Sequence, residues 1–152
     1  MNNETVWHCK HFTELSVAQL YDILQLRSEV YVVEQQCIFL DMDGIDKQCY
    51  HLFGYEQNNL VAYCRLIAPD VVYQNKASIG RVVNAASVRG KGIGKQMMHL
   101  AIEKCRYLFP SSSLKIGAQL YLKDWYASFG FTSCNDMYLE DGIEHIHMEL
   151  IV

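Results

Sequence analysis

The stretch Ser87-Val88-Arg89-Gly90-Lys91-Gly92-Ile93-Gly94-Lys95-Gln96 sets three glycines at alternate positions among three cations. Apolar segments of different period flank it. Upstream, residues 77–83 include the β-branched Ile79, Val82 and Val83 and read as a strand. Downstream, Ile93, Met97, Leu100, Ala101, Cys105 and Leu108 recur at helical spacing. A glycine-rich turn between strand and helix leaves the N–H groups of the first helical turn without intrahelical partners, and the helix dipole adds partial positive charge there. Such a turn is built to hold an anion, a phosphate above all. A merely flexible, solvated turn would not need alternating glycines at a helix start.

Two familiar phosphate loops do not fit. In P-loop register, Arg89 stands where the first glycine belongs and Gln96 where the Mg²⁺-binding hydroxyl belongs. The dinucleotide fingerprint fails because Lys95 occupies its last glycine position. What remains is Arg-x-x-Gly-x-Gly, at Arg89, Gly92 and Gly94. This resembles the coenzyme A pyrophosphate loop of the GCN5-related N-acetyltransferase (GNAT) family, and more closely its ElaA-like branch. Further segments carry the resemblance: Val-Val-Glu-Gln at 32–35, Ile-Gly-Arg-Val-Val at 79–83, Gly-Ala-Gln at 117–119 and Asp-Gly-Ile-Glu-His-Ile at 141–146.

At 152 residues, 51% of them hydrophobic, the chain can bury a sizeable core, and no linker, repeat or low-complexity tract divides it. One domain over residues 1–152 is expected. A formal net charge of −4 argues against nucleic acid as the main partner. The six cysteines show no C-x-x-C pair and no metal-site spacing, which fits a reducing cytoplasm and reads as no metal. The first twelve residues lack an apolar leader core, and no apolar run reaches membrane-spanning length, so neither export nor insertion is expected.

In chain order, residues 6–12 read as a first strand. Ser16 followed by Gln19 is a capping box, opening an amphipathic helix to about Val32 with Leu20, Ile23, Leu24, Arg27 and Tyr31 at helical offsets. Residues 32–45 turn acidic and irregular. Residues 50–55 and 60–67 read as a hairpin through Gln57-Asn58-Asn59. After the strand, glycine turn and helix, which Pro110 stops, come a short strand at 114–118, a short helix at 121–129 closed by Gly130, and strands near 132–138 and 143–151 joined at Asp141-Gly142. The pattern predicts an α+β sandwich with a mixed, mostly antiparallel GNAT-like sheet and helices on both faces. Its terminal strands are compatible with a homodimer.

The resemblance implies roles for particular residues. Val82, Val83 and Asn84 match the strand whose backbone pairs with the pantetheine amides. Arg89, Gly90, Lys91, Gly92, Ile93, Gly94 and Lys95 match the pyrophosphate loop, where a Cβ would block close approach. Splaying of two neighbouring strands beside this loop would free the backbone such a ligand needs. Tyr126 precedes Gly130-Phe131 by the family's Y-x-x-x-G-F spacing, which makes it the acid that protonates the departing thiolate. Read alone, Tyr126 is a ring packed in the core. Gln119 either bonds a cofactor carbonyl or caps the following helix, and Leu122 and Trp125 with Tyr126 would line the pantetheine channel.

An amine acceptor must lose a proton before attack, and Glu34, His51 and His145 are the candidate bases. Each also has an ordinary structural reading. His145 and His147 share a face but lack a third ligand at metal-site spacing. Arg65 and Arg81 are charges in apolar strands, costly unless paired. Either an acidic group of the substrate or Glu34 or Asp43 would pair them. The acidic residues Glu34, Asp41, Asp43, Asp46, Glu140, Asp141 and Glu144 suggest a cationic acceptor. The expected activity is therefore N-acetyl transfer from acetyl-CoA to a small-molecule or peptide primary amine by direct attack. A non-catalytic acyl-CoA sensor and a general ATP or NAD site are the rivals.

Overall fold

The computed structural model describes residues 4–151. Two antiparallel sheets meet edge to edge, and the gap between them organises everything else. The first sheet has strand order β1-β2-β3-β4, made of Thr5–His11, Tyr50–Glu56, Asn59–Ile67 and Ser78–Asn84. The second has order β5-β7-β6, with β5 at Leu114–Gln119, β6 at Thr132–Glu140 and β7 at Ile143–Leu150. They touch through one parallel bridge, where Ala77 N–H donates to the Ser113 carbonyl at 3.0 Å and Lys115 N–H to the Ala77 carbonyl at 2.9 Å. Beyond that point β4 and β5 belong to separate sheets and diverge. The mixed sheet expected from the sequence is thus two antiparallel ladders joined by this single parallel contact.

Helices cover both faces. On one, α1 (Val17–Arg27) packs Ile23 and Leu26 against Phe53, Tyr63 and Val83. Its start is the expected capping box: the Ser16 hydroxyl accepts from Gln19 N–H, and the Gln19 side chain accepts from Ser16 N–H, both at 3.0 Å. On the other face α2 (Ile93–Leu108) buries Met97, Met98, Ala101, Ile102 and Cys105 against Leu52, Cys64, Leu66 and Ile79. Each of the Met, Ile and Leu side chains contributes about 1.5–3 kcal/mol when fully buried. The short α3 (Lys123–Ala127) caps the end of this second core with Tyr126, beside Phe131.

Departures from the regular pattern cluster at the gap. The helical run that opens at Ser16 ends at Glu34, close to the expected Val32, but it does not stay an α-helix to that end. After α1 it widens into a seven-residue π-helix, Ser28–Glu34, a form found often at functional sites. In β4 the register slips between Tyr63 and Arg65 on its partner, and Arg81 takes φ +50°. This is a β-bulge, which bends a strand away from its neighbour and re-aims its side chains. The Asp141-Gly142 turn joining β6 and β7 has φ of +50° and +77°, as a two-residue hairpin turn of the primed type requires.

Candidate active site

The divergence of β4 and β5 opens a cavity of about 1110 Å³. Its walls are built from bulged β4, the glycine turn, the π-helix, the inner face of β5 and β7, and α3.

The glycine turn forms one end. Gly90 and Gly92 have φ of +79° and +82°, with Gly92 capping α2. Gly94 answers a different demand: a Cβ there would stand 2.5 Å from the Asn84 side-chain nitrogen. Both glycines and Gly94 line the cavity, with Lys95, Arg89, Val82, Val83 and Asn84. Lys91 is exposed on the same turn, and Ile93 packs its side chain against the core. The Asn84 side-chain oxygen is buried without a hydrogen-bond partner, and the Val82 carbonyl accepts from the Tyr31 hydroxyl at 2.9 Å.

Along the opposite wall Gln119, Leu122, Trp125 and Tyr126 come together. The Gln35 side-chain amide reaches Gln119 across the gap at 3.5 Å. Tyr126 is 7% exposed, its ring edge-on to Trp125 at 4.9 Å and to Phe131 at 6.1 Å. Burial pushes its phenol pKa well above the ordinary value.

The three candidate bases part company. Glu34 ends the π-helix at the cavity edge and is bound to Arg89 at 2.6 Å, which holds its carboxyl below the usual range. His51 does not reach the cavity. It is fully buried, with Nδ1 2.6 Å from the Tyr63 hydroxyl and Nε2 2.9 Å from the Asp46 carbonyl, and burial lowers its pKa. His145 faces the cavity from β7, directly across from Gln119 on β5 and Tyr138 on β6.

Arg65 and Arg81 find structural partners, in a lattice the sequence only hinted at. Arg27, wholly buried, lies 2.8 Å from both Asp41 and Asp46. Arg65 pairs with Asp43 at 2.6 Å and Asp46 at 3.0 Å, and Arg81 with Asp41 at 2.8 Å. Asp43 was an expected partner; Glu34 is taken by Arg89 instead. Three arginines thus hold the segment from Asp41 to Asp46 over the cavity, while Ile38, Leu40 and Met42 are exposed. Four of the seven carboxylates counted as acidic surroundings, Glu34 and these three aspartates, are already matched by arginines. The unmatched negative charge at the cavity is Glu140 and Asp141 at the β6–β7 turn.

Tyr73 and Tyr138, not singled out in the sequence, meet hydroxyl to hydroxyl on the cavity wall, and burial raises the Tyr73 phenol to about 12. Gly117 makes room for them, since a Cβ there would run into the Tyr138 hydroxyl. Alternation along β5 and β7 puts Gly117, Gln119, His145 and His147 on one face. That alternation was the available signal, but the cross-strand register that brings Tyr138 to it was not in the sequence. Among the described residues no group of three or more His, Cys, Asp or Glu is placed to hold a metal, and no helix is long and apolar enough to cross a membrane.

A family model for the acetyltransferase (GNAT) domain matches residues 28–152. The chain belongs to the GNAT acetyltransferase family. It is 42% identical over 144 residues to ElaA of Escherichia coli, spanning 93% of this chain and 94% of that protein. A protein of Synechocystis sp. is 43% identical over 146 residues, with 95% and 94% covered. Among solved structures, an acyl-CoA N-acyltransferase from Pseudomonas aeruginosa superposes with a TM-score of 0.91 at 38% identity, covering 96% of this chain and 99% of that one. Escherichia coli ElaA superposes at 0.89 with 40% identity and the same coverage. GNAT N-acyltransferases use acyl-CoA, and this GNAT cavity fits such a group on its own terms. It offers a glycine cradle that a Cβ at 94 would fill, an orphaned amide oxygen at Asn84, and two strands held apart beside a helix start.

Proposed function

We propose that the chain, as one domain over residues 1–152, is an acetyl-CoA-dependent N-acetyltransferase that acylates a primary amine by direct attack in a reducing cytoplasm. The observation that carries this is the divergence of β4 and β5 beside the glycine turn, with the Tyr126 phenol buried on the wall of the gap. The free state of all six cysteines supports the compartment.

In this reading the α2 N-terminus, Gly90, Gly92 and Gly94 hold the pyrophosphate, assisted by Lys91, Lys95 and Arg89. The cavity-facing backbone of β4 at Val83 and Asn84 and the Gln119 amide align the pantetheine arm, and Leu122 and Trp125 exclude water from it. The bound thioester supplies the acyl group and a sulfur leaving group. Tyr126 keeps its proton through neutral and mildly alkaline pH because burial disfavours the phenolate. It gives that proton to the sulfur as the C–S bond breaks. The acceptor enters beneath the segment that Arg27, Arg65 and Arg81 hold down, where Glu140 and Asp141 favour a cationic amine.

Calorimetric titration with acetyl-CoA, CoA, ATP and NAD tests the cofactor, and thiol release with an amine panel tests the reaction. Micromolar binding of acetyl-CoA, lost in folded Gly92→Glu, is expected. Binding without thiol release for any amine would make the chain a non-catalytic acyl-CoA sensor. Binding of neither CoA species would sink the reading.

A further inference from the structure

We propose that His145, oriented by the Ile143 carbonyl and backed by Glu140, is the base that deprotonates the acceptor amine; this rests on the acetyltransferase reading above. His145 Nδ1 lies 2.7 Å from the Ile143 carbonyl. A carbonyl only accepts, so Nδ1 carries the proton and Nε2 presents a lone pair. The side chain is 11% exposed and lines the cavity, so the lone pair is held in a place the acceptor must enter.

Two neighbours complete the arrangement. The Tyr138 ring stacks on the imidazole with centroids 5.5 Å apart and fixes its plane. Glu140 Oε2 stands 3.6 Å from Nε2. That is too long for a hydrogen bond that would occupy the lone pair, and close enough to stabilise an imidazolium once formed. The other groups facing the ring are Gln119 from β5 and His147 from its own strand, with Asp141 at the turn.

Two of the competing bases are spent: both His51 nitrogens are bonded in the interior, and Glu34 is held by Arg89. His147, with Nδ1 2.6 Å from Asp136, keeps Nε2 free and is the rival on the same wall. His147→Gln should therefore keep its turnover, and a loss of turnover there with none in His145→Gln would overturn the inference. Asp43, which also lines the cavity, is bound to Arg65 at 2.6 Å.

His145 Nε2 takes one proton from the acceptor ammonium, and the freed nitrogen lone pair forms the new N–C bond as the C–S bond breaks. Tyr126 gives its phenolic proton to the sulfur, and the second proton lost from nitrogen returns to the Tyr126 oxygen. His145 then releases its proton to solvent, one for each acetyl group transferred. Glu140 acts through His145 and is a positioning residue.

The test uses the full chain, acetyl-CoA and the best amine of the panel. His145→Gln should bind acetyl-CoA within about twofold of the parent while kcat falls about 10²-fold or more. The acid limb of its rate profile should disappear, and imidazole should restore part of the rate in His145→Ala. Glu140→Gln should lower kcat while acetyl-CoA affinity stays within about twofold, because the imidazolium formed in the step loses its counter-charge. An unchanged kcat would overturn the part given to Glu140. This carboxylate is 57% exposed, so its replacement should leave the fold in place. Nitrogen NMR of the parent's histidines should report the Nδ1–H tautomer for His145; the Nε2–H tautomer would overturn the inference. Unchanged turnover and acid limb in His145→Gln would overturn it too and leave the acetyltransferase reading standing. A parent that binds acetyl-CoA but releases no thiol with any amine would overturn both.

Discussion

Arg27 Nη1 and Asp46 Oδ1 lie 2.8 Å apart, and the same carboxylate oxygen receives Arg65 Nη1 at 3.0 Å. Asp46 is thus the hinge between a guanidinium sealed under α1 and one at the cavity floor. Removing one partner of a buried pair leaves uncompensated charge, at a cost of about 3–5 kcal/mol. Arg27→Met should therefore lower the unfolding free energy by about that amount in urea titrations. The surface pair of Arg89 and Glu34 should contribute no more than about 1 kcal/mol by the same measurement.

Acid should unfold the protein through this lattice. The guanidiniums of Arg65 and Arg27 hold the Asp43 and Asp46 carboxyls below the ordinary carboxylate value of about 3.9, against the opposing pull of burial. A depressed native pKa means stability that is present above the unfolded value and lost as pH falls through the native one. Stability should hold above about pH 5 and fall below it. The fall should be shallower in Asp43→Asn, as followed by thermal melts across pH.

Tyr126→Phe should retain acetyl-CoA affinity and lose turnover by a factor of about 10²–10⁴. Because burial raises the phenol above its usual value of about 10, the parent's rate should show no loss from ionisation of Tyr126 at that pH. An alkaline fall near pH 10 in the parent, absent from Tyr126→Phe, would contradict this placement.

Gly94→Val separates ligand space from fold. The added Cβ meets only the end of the Asn84 side chain and, at 3.7 Å, the Trp125 ring. Asn84 can swing away at small cost, so the melting temperature should drop by only a few degrees. Acetyl-CoA binding should weaken about tenfold or more, because the branched side chain fills the cradle.

How much of this was legible in the sequence depends on the range of the interaction. Ser16 with Gln19, the strand–glycine–helix junction and the Asp141-Gly142 turn are local, and the structure has each where spacing puts it. The π-helix escaped because a widened turn keeps nearly helical spacing over so few residues. The arginine lattice escaped because its partners lie 14 to 40 positions apart, and only the folded sheet brings them together. Arg27 stands at a helical offset among apolar residues, where a charge on a buried face demands a partner that the sequence does not name. His51 and His145 look alike in sequence; the fold turns one inward against Tyr63 and the other toward the gap.

The segment from Ile38 to Asp43 alternates like a strand although it belongs to neither sheet, with Asp41 and Asp43 turned in to arginines and Ile38, Leu40 and Met42 turned out. Its attachment and its outward chemistry therefore lie on opposite sides of one thread. Rewriting the outward residues touches no ion pair, so the roof over the acceptor can change its texture without loosening its rivets.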